Sequence, residues 1–119
     1  MEGPLCNDPA DEPEAHAICE LAAHIHAATA EFSERVAAFE LKSAWGGAGI
    51  RSCAHWLSIY AGFDSPTGRE LIAVGTALAA LPLTRAAFRA GELSLDKAKA
   101  LAGVATPADE EGWVELAAS

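Results

Sequence analysis

His16, Cys19, Glu20 and His24 fall at i, i+3, i+4 and i+8, so a helix here would carry two imidazoles, a thiol and a carboxylate on one face. Nitrogen, sulfur and carboxylate donors together suit zinc, which takes four ligands. One helix usually supplies two of them, so a further donor such as His55 would have to arrive from elsewhere. The simpler reading is a polar band beside an apolar one, with Cys19 acting as a small hydrophobe. No metal and no cofactor are therefore expected. Nucleophilic chemistry has even less behind it, because the chain holds no Gly-x-Ser-x-Gly and no Cys–His pair set by spacing. Glu110 and Glu111 are adjacent acids, but both fall in the first turn of an expected helix, where the dipole favours anions. Gly46, Gly47 and Gly49 follow no strand and precede no Gly-Lys-Ser/Thr, so they read as a tight corner and not as a phosphate cradle. No catalytic residue is expected, and the chain is not expected to be an enzyme.

The remaining chemistry is electrostatic. Arg85, Arg89, Lys97 and Lys99 lie on both sides of a short turn in LPLTRAAFRAGELSLDKAKALAG. A small residue in the first helix, a glycine in the turn and a second helix beyond it outline a helix-turn-helix-like hairpin, here through Ala87, Gly91 and the segment from Ser94. The four cations are the candidate nucleic-acid contacts, of the phosphate-holding kind. Against them stand Glu92 and Asp96, and no Asn, Gln or Arg in the second helix's first turn to read base edges. On residue types alone, helix packing is the stronger reading, with Ala86, Ala87, Leu93, Ala98 and Leu101 facing inward.

The elements that position these groups are all helical. Half of the 119 residues are apolar and alanine dominates among them, which favours an all-α fold of five to seven helices. Residues 1–10 read as a flexible acidic tail, and residues 11–119 as one helical domain, a fragment of a longer protein because the last helix is still running at ELAAS. Asp11 is placed to cap a long N-terminal amphipathic helix over about 14–41. Its stripe of Ile18, Leu21, Ile25, Ala28, Phe32, Val36 and Phe39 would pack on the domain's own short helices or form a dimer seam. A short helix over about 51–61 puts Cys53, Trp56, Leu57 and Tyr60 on a core-like face. Ser65-Pro66 opens a helix ending at Pro82, Thr84 caps a brief one ending at Gly91, and Ser94 caps one ending at Gly103. Thr106-Pro107 opens the last.

The net charge of −9 is unevenly spread: residues 1–40 carry −8, residues 41–103 carry +3 and residues 104–119 carry −4. An anionic partner would meet the middle of the chain and be repelled by its ends. The longest uncharged run, residues 71–84, is too short to span a bilayer. The start is acidic, unlike a signal peptide, and three cysteines without a C-x-x-C pair suit a reducing compartment. A cytoplasmic protein with no membrane partner is expected.

Taken in order, Trp45, Ser52, Trp56-Leu57, Leu81-Pro82 and Gly91-Glu92-Leu93-Ser94 form a series that resembles the 13E12 repeat family of actinobacteria, whose shared region is known as domain of unknown function 222. The resemblance spans roughly residues 15–119. It implies a non-catalytic helical region in the N-terminal part of a longer protein, with an HNH endonuclease motif downstream and outside this chain. Association with DNA or positioning of the nuclease is then the expected function. The matching motif residues Trp45, Ser52, Trp56, Leu57, Leu81, Pro82, Gly91, Leu93 and Ser94 carry no catalytic role in the family. The hairpin is also similar, over about twenty residues, to part of the DNA-binding region of ParB-type partitioning proteins. The alternative from another class is a helix-mediated protein-interaction or dimerisation module that uses the long helix and binds no nucleic acid.

Overall fold

A computed structural model describes residues 12–118, so the expected tail and the expected cap Asp11 lie outside the described residues. Six helices follow one another: α1 (Pro13–Lys42), α2 (Cys53–Tyr60), α3 (Ser65–Leu78), α4 (Pro82–Arg89), α5 (Leu95–Val104) and α6 (Glu110–Ala118). The described residues contain no strand, only one isolated bridge between Gly47 and Ile50 in the corner after α1. The all-α expectation and the long N-terminal helix both hold.

Local chemistry explains most helix starts. Glu12 caps α1 by accepting the Ala15 N–H at 2.8 Å, one residue later than expected, and Pro13 fills the first turn. Ser52 caps α2 through the His55 N–H, and Ser94 caps α5 through the Lys97 N–H. For α3 the cap is Asp64, which accepts the Thr67 N–H at 2.9 Å, and Ser65 is already inside the helix. That bond holds the Asp64 carboxyl below its ordinary range, with Arg69 contributing least. A lowered acid stabilises the fold above the usual carboxylate range, and the contribution is lost on acidification through the folded value. Asp109, held down mainly by the Thr106 N–H, behaves the same way ahead of α6.

Two cores are laid along α1. One gathers Val36, Cys53, Ala54, Leu57, Leu71 and Ile72 between α1, α2 and α3. The other gathers Ala30, Val74, Leu78, Leu81, Phe88, Leu93 and Leu101 between α1 and the last helices. Between them α1 and α3 cross at very short range. A Cβ on Gly75 would lie 2.2 Å from the Ser33 carbonyl oxygen, so only glycine allows the two backbones this close. The buried Ser33 hydroxyl donates to the Leu71 carbonyl at 2.5 Å across the same crossing.

The close-packed face of α1 is thus made of small residues, Ala30, Ser33 and Ala37, centred roughly 130° around the helix from the large apolar stripe, of which Val36 is also buried. The stripe itself divides. Its C-terminal half is covered: Phe32 meets Phe63 with ring centroids at 4.8 Å, and Phe39 meets Trp56 edge-on at 4.8 Å. Its N-terminal half is not covered by any described residue, and Ile18, Leu21 and Ile25 are 58%, 60% and 57% exposed. Of the two expectations for the stripe, packing on the domain's own short helices holds for the C-terminal half alone, because α2 is eight residues long and reaches only that half.

Smaller corrections have similar causes. Tyr60 ends α2 and is exposed, stacking on Trp56 from outside. Ala86 points outward from the hairpin, while Ala87, Leu93, Ala98 and Leu101 do face inward. Helix α3 stops at Leu78, and Leu81 is buried in the turn after it. Cys53 is a free buried thiol, but Cys19 is disulfide-bonded, against the expectation of a chain without disulfides. Burial pushes the Cys53 thiol up, and nearby Glu40 adds to it. A raised thiol keeps its stabilising effect at neutral pH and loses it as the pH rises towards the folded value.

Leu57 is buried, whereas Trp56 is half-buried. Leu57→Ala is therefore expected to cost about 2–5 kcal/mol and Trp56→Ala about 2 kcal/mol, below the range for an enclosed tryptophan. Urea unfolding of the two variants checks the order. A larger loss at Trp56 would contradict the packing described.

Candidate functional site

The four basic candidates sit on α4 and α5, and three of them are occupied within the chain. Arg89, at the end of α4, donates to Glu34 of α1 at 2.9 Å. Lys99 of α5 pairs with Glu70 of α3, which raises the lysine above its ordinary range. The Lys97 ammonium donates at 2.8 Å to the Ala117 carbonyl in the last turn of α6. Of the four, only Arg85 has no side-chain hydrogen bond or ion pair to a described residue, and it lies by a shallow groove with Glu34, Leu41 and Thr76. The cations thus radiate towards α1, α3 and α6, tying helices to one another.

The turn between α4 and α5 supports the same assignment. Gly91 is left-handed (φ 81°), and the backbone bonds from Gly91 N–H to Phe88 and from Glu92 N–H to Ala87 make a Schellman stop. A Cβ on Gly91 would lie 2.5 Å from the Ala23 carbonyl oxygen, so the turn is pressed onto α1. The outward face of α5 shows Asp96, Lys97, Lys99 and Ala100, with no Asn, Gln or Arg, and both lysines hold partners within the chain. The hairpin is a packing device first.

Each of the nine motif residues has a structural task. The Trp45 indole N–H donates to the Glu40 carbonyl at 3.2 Å and closes the corner after α1. Ser52 and Ser94 are caps, Pro82 opens α4, Gly91 ends it, and Leu57, Leu81 and Leu93 are core. Trp56 stacks between Phe39 and Tyr60.

Sequence reading missed a buried carboxylate. Glu110, 1% exposed, does not cap its own helix. Its Oε2 accepts the Leu83 N–H at 2.7 Å and the Thr84 N–H at 3.2 Å, so α6 supplies the cap of α4. Thr84, expected as that cap, lies inside the helix with its hydroxyl buried and unpartnered. The two amides and the dipole of α4 compensate the charge without a cation. The only sequence signal was the weak one that α4 begins on Leu81-Pro82 with no capping side chain of its own.

No group of three or more His, Cys, Asp or Glu residues able to hold a metal is found among the described residues. The disulfide removes Cys19 from the ligand set considered with His16, Glu20 and His24, and His55 instead accepts the Arg51 N–H at 3.0 Å. No described helix is long and apolar enough to cross a membrane. The last surface of note is a groove of about 490 Å³ between α1 and α2. Phe32, Val36, Phe39 and Trp56 line it, with Arg35 and Lys42 at its edge. It continues the open stripe of Ile18, Leu21 and Ile25 along the same side of α1. Comparison with known proteins yields no match, whether to a family model, a curated protein or a solved structure.

Proposed function

We propose that this chain is a non-catalytic helical interaction module whose working surface is the open side of α1. The observation that carries this reading is the half-covered stripe: three large aliphatic side chains exposed in register on a regular helix, leading into an aromatic groove. Contiguous apolar surface of this kind marks a site of association. The resemblance to the 13E12 repeat family supplies the setting, that of an accessory domain attached to an HNH-type nuclease which it helps to position.

The DNA-binding reading keeps one specific support, the unpaired and exposed Arg85. The other three cations would have to give up internal partners to meet phosphate.

Two measurements on the intact chain separate the readings. Sedimentation should show association that persists in salt and is lost in Ile18→Lys/Ile25→Lys, a variant that keeps its helical circular dichroism. A labelled duplex should not bind at moderate salt. A monomeric chain that binds duplex, with affinity falling steeply as salt rises and falling further in Arg85→Gln, would overturn the proposal in favour of DNA.

A further inference from the structure

We infer that the occupant of this surface is a second copy of the same chain, with the two α1 helices antiparallel and each N-terminal half seated in the other copy's aromatic groove; the inference rests on the interaction reading above. The first support is shape. An apolar stripe runs from Ile18 through Leu21, Ile25, Ala28 and Phe32 to Phe39 at the a and d spacing of a helix-pairing seam, with the charged Glu14 and Arg35 at the remaining positions of that spacing. Its first half offers exposed aliphatic knobs that no described residue encloses, and its second half offers the groove. One copy therefore carries both halves of a complementary contact, which is what a two-fold interface requires.

The second support is charge. At 1.5 Å per residue, an antiparallel pair with its axis near Ala28 brings position i of one helix level with position 56 − i of the other, to within about a residue. Glu14 then comes level with Lys42, Glu20 with Arg35, and His24 with Glu31. Glu20, His24, Glu31, Arg35 and Lys42 all flank the same side of the stripe, and same-side flanks meet in an antiparallel pair. The opposite flank carries Ala15, Ala22 and Thr29, with Glu40 as its one acid. A parallel pair would set the charged flank against this mostly neutral one and Glu14 against Glu14. It would gain none of these pairings. Arg35 and Lys42 are free for the role: Lys42 is exposed, and Arg35 holds only the exposed i,i+4 bridge to Glu31.

Charge reversal by sedimentation equilibrium on the whole chain tests the arrangement. Glu14→Lys/Glu20→Lys and, separately, Arg35→Glu/Lys42→Glu should each weaken the dimer by about tenfold or more, because both place like charges opposite one another. All four reversals in one chain restore opposite pairs and should return the dimer to near the parent affinity. Helical circular dichroism accompanies each variant as the check on folding. A parent dimer that is indifferent to the single-end reversals overturns the antiparallel arrangement and leaves the interaction reading standing. A parent that stays monomeric at several hundred micromolar overturns the inference, while loss of the broader reading additionally requires that duplex binding take its place.

Discussion

Gly75→Ala should destabilise the fold by about 3 kcal/mol or more, although it adds a single methyl group in mid-helix. Overpacking usually costs about 1–3 kcal/mol because side chains shift to relieve it. Here the methyl carbon would meet the Ser33 carbonyl oxygen at 2.2 Å and its carbon at 2.8 Å, and both are backbone. Relief must come from parting α1 and α3, which also stretches the Ser33–Leu71 hydrogen bond. For a domain stable by about 5–15 kcal/mol, the melting temperature should fall by more than about 10 °C. Gly103→Ala is the matched control. Nothing lies within 4 Å of a Cβ there, so helix propensity makes the change neutral or stabilising by up to about 1 kcal/mol. Similar melting temperatures for the two variants would refute the close crossing.

Glu110→Ala should cost about 2–4 kcal/mol. The substitution leaves the Leu83 and Thr84 amides without their acceptor and opens a void beside the unpartnered Thr84 hydroxyl. Glu110→Gln keeps an acceptor oxygen but loses the charge that meets the dipole of α4, so it should lie between the parent and the alanine variant. Glu111→Ala, next door and exposed, should move stability by no more than about half a kcal/mol. Denaturant midpoints for the three variants provide the check. Equal effects at positions 110 and 111 would show that both acids merely favour the start of α6.

These two residues also mark where sequence reading stops. Helix number, the long α1, the corner of glycines and the cap Ser94 were legible because each follows from chemistry close by in the chain. Glu110 was invisible in its true role because its partners lie 26 and 27 positions away. The packing face of α1 was only partly placed, for a different reason: Val36, Phe32 and Phe39 do pack, but the crossing with α3 uses Ala30, Ser33 and Ala37. Periodicity finds the greasiest side of a helix, whereas a close crossing selects the smallest side, and in α1 the two only partly coincide. The four cations were found, but their occupation was not, since Glu34 and Glu70 stand on other helices and Ala117 contributes only a carbonyl. The open half of the stripe could be read as apolar from sequence, yet only the shortness of α2 shows that it is left uncovered.

Helix α6 is fastened at its two ends by polar contacts, Glu110 into the amides of α4 and the Lys97 ammonium onto the Ala117 carbonyl, while Val114 and Ala117 supply only half-buried apolar contact between them. A segment held in this way opens as a unit, because releasing either clasp removes the constraint on the other. Its amide protons should therefore be shared in one early exchange event, ahead of those in α3, whose Leu71, Val74 and Leu78 are enclosed. When α6 lifts, the first turn of α4 is left with two vacant donors and a positive dipole end facing solvent.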